Sequence, residues 1–198
     1  MSKTIGRELE AKFNSTKAKN KAIVDLLYKE KAFTEAYAGE EINTRFDTRD
    51  AELESIGATV RLRQTPKGFL LTVKEKIDPS RTDVKKPKHC KLCEELNAEV
   101  SDPGVVRKIF SLFFAREESY CKVRRHWELS FSGICVEIDL VPELNRYFVE
   151  IEAPTEKDID EFRKRFGLSW DSVEPKSYFQ LIREAREKKA NKKNKKHS

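Results

Sequence analysis

An α+β fold is what this sequence predicts: a sheet rolled into a barrel around its charged face, with helices packed on the apolar outside. Three observations carry that prediction. Period-two alternation recurs along the chain, so that each strand has one apolar and one ionic face. The ionic faces are nearly pure Glu, Asp, Lys and Arg, and strands tend to be wholly acidic or wholly basic. An ordinary solvated sheet face mixes in Ser, Thr, Asn and Gln. Finally, the helix-periodic segments are few and amphipathic, as suits helices laid on an apolar surface.

The elements follow in chain order. Leu9, Ala11 and Phe13 alternate with Glu8, Glu10 and Lys12 in the first strand. Ala18, Ala22, Ile23, Leu26, Leu27 and Phe33 recur at helical spacing, predicting a helix from Ser15 to about Phe33. Val60 and Leu62 alternate with Arg61 and Arg63, and Leu71 and Val73 with Thr72, Lys74 and Lys76. Ser101-Asp102-Pro103 supplies a cap and an early-turn proline for a helix through Val105, Val106, Ile109, Phe110 and Phe113. Strands return with Lys122 and Arg124 between Cys121, Val123 and Arg125. Glu137 and Asp139 then stand between Val136, Ile138 and Leu140, and Glu150 and Glu152 beside Val149 and Ile151. Thr155 and Asp158 form a capping box before Ile159, Phe162 and Phe166, and Gly167 is placed to end that helix. A last helix starts near Ser177. Phe110, Phe113, Phe114, Trp127 and Trp170 are assigned to packing between helices and barrel.

Composition narrows the function classes. The chain has 198 residues, 38% hydrophobic and 37% charged, with a net charge of +6. That whole excess lies in residues 183–198, where eight Lys or Arg stand against two acids. Residues 1–182 are therefore neutral and read as one domain, and 183–198 as a basic, disordered tail. The tail is a candidate for nonspecific attraction to nucleic acid, not evidence of a nucleic-acid-binding body. No run approaches the ~20 apolar residues of a membrane span. The start of the chain lacks an apolar signal segment, so a cytoplasmic location with free thiols is expected for Cys90, Cys93, Cys121 and Cys135. Cys90-Lys-Leu-Cys93 has zinc-like spacing, but the later pair does not form a second hook, and small buried hydrophobes are the simpler reading.

Charges gathered in one lumen are costly unless paired or liganded. Arg61 and Arg63 offer planar forks to phosphate oxygens, with Lys12, Lys74, Lys76 and Lys122 as point charges. Glu8, Glu10, Asp139, Glu150 and Glu152 are hard oxygen donors suited to Mg²⁺ or Mn²⁺. Bases that cradle a polyphosphate and acids that hold metal on it are the parts of a phosphoryl-transfer site.

The same residues carry a resemblance. Glu8-Leu-Glu10-Ala-Lys12 resembles the ExExK motif of the CYTH superfamily, the triphosphate tunnel metalloenzymes that include class IV adenylyl cyclases and thiamine triphosphatase. Arg45-Phe-Asp-Thr48, Ala58-Thr-Val-Arg-Leu-Arg63, Leu71-Thr-Val-Lys74, Lys122-Val-Arg124, Ile138 to Leu144, Phe148-Val-Glu-Ile-Glu152 and Lys176-Ser-Tyr178 resemble its later blocks, in order. The resemblance implies an eight-stranded antiparallel tunnel holding a triphosphate. It implies metal carboxylates at Glu8, Glu10, Glu150 and Glu152, supported by Asp139 and Glu137. Phosphate contacts would come from Lys12, Arg61, Arg63, Lys74, Lys122, Arg124 and, more remotely, Lys176. Cys93 and Asn97 depart from the pattern, standing where Arg and an acid are usual, and Asn145-Arg146-Tyr147 replaces a glycine turn. The expected activity is metal-dependent hydrolysis of inorganic triphosphate, a nucleoside triphosphate or thiamine triphosphate. Cyclisation of ATP to cyclic AMP and noncatalytic polyphosphate binding are the alternatives. Residues 77–89 are expected to form a mobile loop over an entrance.

Overall fold

The computed structural model of the chain describes residues 4–78 and 87–194. Eight strands run β1 (Thr4–Ser15), β2 (Phe33–Asp47), β3 (Ala58–Thr65), β4 (Gly68–Lys76), β5 (Lys91–Val100), β6 (Arg116–Leu129), β7 (Ile134–Val141) and β8 (Arg146–Glu152). They close, all antiparallel, into a barrel of order β1-β5-β4-β3-β2-β6-β7-β8. Closure puts β3 opposite β8 and β2 opposite β1. Five helices lie outside: α1 (Lys17–Lys29), α2 (Glu52–Ser55), α3 (Pro103–Phe110), α4 (Glu156–Arg165) and α5 (Tyr178–Asn194).

The polarity is inverted as the alternation predicts. Outward side chains of β1, β6, β7 and β8, among them Phe13, Trp127, Val136 and Ile151, form the main core with Ile23 and Leu27 of α1 and Ile159 and Phe162 of α4. Thr16 caps α1 through Lys19 N, and Thr155 caps α4 through Asp158 N. A second cluster, Tyr120, Val141, Phe148, Tyr178, Phe179, Leu181 and Ile182, seats the start of α5 at one end of the barrel. Asn145, in the left-handed region at φ 50°, makes the β7–β8 turn in place of glycine, which its short polar side chain tolerates.

Three expectations are corrected. α1 stops at Lys29, and Phe33 instead opens the 15-residue β2, where its ring is buried. The predicted disordered tail is helical to Asn194. Arg, Lys, Glu and Ala dominate there, all good helix formers, and its lysines sit where the helix dipole favours cations. Arg183 and Arg186 tie the helix back to Glu54 and Glu143. Phe113 is not a core residue but 71% exposed. Of the loop expected over residues 77–89, positions 79–86 lie outside the described residues.

Candidate active site

Register brings the ionic faces together. Lys12 stands beside Glu150 and Glu10 beside Glu152 across β1–β8, Glu137 beside Glu150 across β7–β8, and Arg124 beside Asp139 across β6–β7. The lumen holds a cavity of about 570 Å³, lined by Glu8, Glu10, Lys12, Arg61, Arg63, Lys74, Lys122, Arg124, Glu137, Glu150 and Glu152. A larger cavity of about 980 Å³ opens from it at the α5 end and shares Glu10, Lys12, Thr59, Lys91 and Ser177 as lining.

One wall is neutralised. Arg124, 1% exposed, donates to both oxygens of Asp139 at 2.7 and 2.6 Å and to Glu150 at 2.5 Å, and pairs with Glu137. Asp139 also accepts from Lys122 at 3.2 Å and from the Tyr178 hydroxyl at 2.9 Å. Burial opposes the Glu150 charge, but Arg124, Lys122 and Lys12 outweigh it and hold that carboxyl well below the usual range. Glu137, Asp139 and Glu150 each place an oxygen within 4.8 Å of the others, a spacing compatible with a cation.

The neighbouring wall is short of positive charge. Glu8 is bound by Lys74 at 2.7 and 2.5 Å, and Lys74 also reaches Glu95 at 2.5 Å. Burial, with the charge of Glu10, pushes the Glu8 carboxyl well above its ordinary value despite Lys74. Burial, then the charge of Glu137, pushes Glu152 up to about 7. Lys12 shows the reverse effect: burial lowers its ammonium to about 8, and it lies 4.2 Å from the centre of the Tyr178 ring while donating to the Lys176 carbonyl.

Across the barrel from Glu150 and Glu152, Arg61 and Arg63 make no salt bridge among the described residues, although the charge of Glu41 supports the proton of Arg63 against its burial. Nε and Nη2 of Arg61 and Nε of Arg63 are buried without a hydrogen-bond partner. Burial, and Arg63 beside it, lower the affinity of Arg61 for its proton. Buried guanidinium N–H groups left unpaired cost free energy that an anion in the lumen would recover.

Two anticipated residues stand apart. Lys176 is exposed and its Nζ pairs with Glu184 at 2.6 Å, so only its backbone reaches the site. Lys76 is exposed at the outer cavity rather than in the lumen. The departures have local partners instead: Asn97 accepts from Thr72 and donates to Glu95, each at 2.7 Å, and the Cys93 thiol is raised to about 11, chiefly by burial. Sequence reasoning missed Glu41, fully buried beside Lys122 at 3.4 Å, and Glu95. The alternation of Glu41, Asn43 and Arg45 with Ile42, Thr44 and Phe46 was the available signal. His126, hydrogen-bonded to Glu137 at 3.0 Å and stacked on Tyr37, was also missed.

A family model described as the CYTH domain matches residues 6–178. No curated protein matches significantly. Among solved structures, the PH1012 protein of Pyrococcus horikoshii OT3 is similar at TM-score 0.69 and 24% identity, over 88% of this chain and 99% of that one. A conserved hypothetical protein of Pyrococcus furiosus gives 0.68 and 22%, over 88% and 99%. The Hippeastrum protein HpAC1, proposed as an adenylyl cyclase and showing a dominant triphosphatase activity, gives 0.64 and 16%, over 89% and 95%. At these identities the likeness speaks for the fold. Among the described residues no helix is long and apolar enough to cross a membrane.

Proposed function

The chain belongs to the CYTH domain family, and from that premise we propose that it is a divalent-metal-dependent hydrolase of a triphosphate-bearing small molecule. The observation that carries the reading is the unpaired guanidinium wall of Arg61 and Arg63 facing the crowded carboxylates of β1 and β8. A polyanion alone would satisfy the first and be repelled by the second; a phosphate chain bearing Mg²⁺ or Mn²⁺ suits both.

The donor set fits such a cation. Glu8, Glu10 and Glu152 are hard oxygen donors whose mutual repulsion is only partly met by Lys74, and these we assign to the metal, with Glu150 and Glu137 at its edge. Asp139, saturated by Arg124, Lys122 and Tyr178, instead positions that basic pair. Bound there, the metal would neutralise phosphate charge and lower the pKa of a coordinated water. Arg61, Arg63 and Lys122 hold phosphate oxygens, Arg124 stays committed to Asp139, Glu150 and Glu137, and Lys74, now shared by two carboxylates, is placed to follow the developing charge on the leaving group. Lys12, lowered to about 8, keeps its proton at neutral pH and closes the outer end of the phosphate path.

Cyclisation is the second reading, and the 980 Å³ outer cavity favours it, since it has room for a nucleoside beside Lys12. Assaying orthophosphate and cyclic AMP on the same protein with Mg²⁺ and Mn²⁺ separates the two. Orthophosphate release is expected; cyclic AMP with pyrophosphate and no orthophosphate would replace hydrolysis by cyclisation. Arg61→Ala should raise KM about 10- to 100-fold, the worth of one or two charge-assisted hydrogen bonds. It should leave the metal-free melting temperature unchanged or higher, because Arg61 has no partner to lose. A melting temperature lowered by several degrees, with KM intact, would make Arg61 structural.

A further inference from the structure

Helix α3 is apolar on two sides, and the barrel covers one of them. Phe110 and the following Phe114 turn inward and enclose Phe46 at ring distances of 5.0 and 6.4 Å. Val105 and Ile109, with Leu112 and Phe113 in the turn that continues the helix, recur at i, i+4, i+7 and i+8, which is a single helical face. That face is bare: the four side chains are 47–71% exposed. Neither cavity is lined by a residue of α3, so the stripe is a ridge and not a groove. The basic helix α5 is anchored where the ridge ends. β6 begins at Arg116, three residues after Phe113, and Arg186 donates to the Ser119 carbonyl at 3.2 Å. The acids at this end are taken, Glu117 by Arg107 at 2.9 Å, Glu118 by Arg116 at 3.2 Å and Glu143 by Arg186 at 2.8 Å. Asp102, at the far end of α3, caps Gly104 N and Val105 N. Lys108 of α3 and Lys188, Lys189 and Lys192 of α5 are exposed, and among the described residues none of these four enters an ion pair, against one such acid on α5, Glu187.

We propose that the α3 ridge and the lysines of α5 form one surface that attaches the protein reversibly to an anionic lipid bilayer. A contiguous exposed apolar stripe marks an interaction site, and charge selects the occupant. Bulky apolar side chains on a convex helix face, beside unpaired cations, suit a helix lying in the plane of a membrane interface. Val105, Ile109, Leu112 and Phe113 enter the boundary between headgroups and acyl chains. The lysine stems follow them while their ammonium groups stay among the lipid phosphates and carboxylates. Each part alone holds weakly, and the two together give attachment that still reverses. Single-stranded RNA would engage the same lysines but has no use for Val105, Ile109 and Leu112, which offer no ring for a base to stack on. The surface lies outside the lumen and owes nothing to the chemistry there.

Cosedimentation of the whole chain with phosphatidylcholine vesicles containing about one quarter phosphatidylserine, beside phosphatidylcholine alone, tests this. Binding to the anionic vesicles is expected, weakening as salt is raised. Leu112→Asp and Phe113→Asp should each lower the affinity about tenfold or more. Their melting temperatures should be unchanged, because both side chains already face water. Lys188→Glu with Lys189→Glu should weaken binding to a similar degree. Phe113→Trp should add a fluorescence that shifts to the blue on the anionic vesicles, which reports insertion without removing apolar surface. A chain that stays in the supernatant with phosphatidylserine vesicles overturns the proposal, and binding of polyuridylate in its place would make α5 a nucleic-acid contact. Vesicle binding that survives both aspartate substitutions, with no blue shift, also overturns it, because the ridge would then take no part.

Discussion

Arg124→Met is expected to cost about 3–5 kcal/mol of folding stability, the range for removing one partner of a buried ionic network. The side chain is enclosed and serves Asp139, Glu150 and Glu137 at once. Methionine restores much of its volume, so a cavity is not the issue; three carboxylates are left facing one another. Lys122 and Tyr178 still reach Asp139, but at 3.2 and 2.9 Å and from one side. Glu150 and Glu137 lose their nearest cation. Urea unfolding of the metal-free protein reads the effect as a lower midpoint. The contrast with Arg61→Ala is diagnostic: one guanidinium is committed to the fold and the other is held ready for a ligand, though both line the same lumen. A loss for Arg124→Met of under about 1 kcal/mol would mean that its carboxylates are protonated or watered, and the division between a structural and a binding wall would fall.

Much of this architecture was legible because its signal has a period of two. Alternation in β1, β3, β4, β6, β7 and β8 identifies inward and outward residues without any knowledge of pairing, and the purity of the ionic faces says that they meet. What alternation cannot say is which cation pairs with which anion. That depends on strand order, and β1 neighbours β5 and β8 rather than β2. Hence the commitment of Asp139 to Arg124 and the freedom of Arg61 emerge only when the barrel closes. β2 was lost for a different reason. Phe33 fits the end of a helical stripe as well as the start of a strand, and so Glu41, at its centre, went unseen. Lys176 illustrates the limit of a motif: its backbone carbonyl receives Lys12, but the side chain is free to choose Glu184 on the helix that follows it.

The second large effect expected is on turnover, and it comes with a pH signature that separates metal binding from simple charge loss. Glu152→Gln should lower metal-dependent turnover on the order of 10²–10³-fold, the equivalent of the few kcal/mol a metal contributes to stabilising transferred phosphate. In the metal-free protein the same substitution should stabilise. The Glu152 carboxyl titrates at about 7 in the fold, against an ordinary 4.5, owing to burial and then to Glu137. A raised acid favours the folded state fully below its ordinary value and loses that contribution as pH climbs through the folded value. Metal-free stability should therefore fall between about pH 4.5 and pH 7, and Glu8, raised in the same sense, adds to the slope. Glu10 and Glu150, lowered in the fold, act oppositely but below that window. Thermal melts in EDTA should show the decline for the unmodified chain and a flatter profile for Glu152→Gln. Mg²⁺ or Mn²⁺ should raise the melting temperature of the unmodified chain more at pH 8 than at pH 5, because Glu152, raised to about 7, joins the already ionised Glu10 and Glu150 only at the higher pH. If Glu152→Gln turns over normally, or if the metal stabilises both proteins equally at both pH values, the cation is held elsewhere.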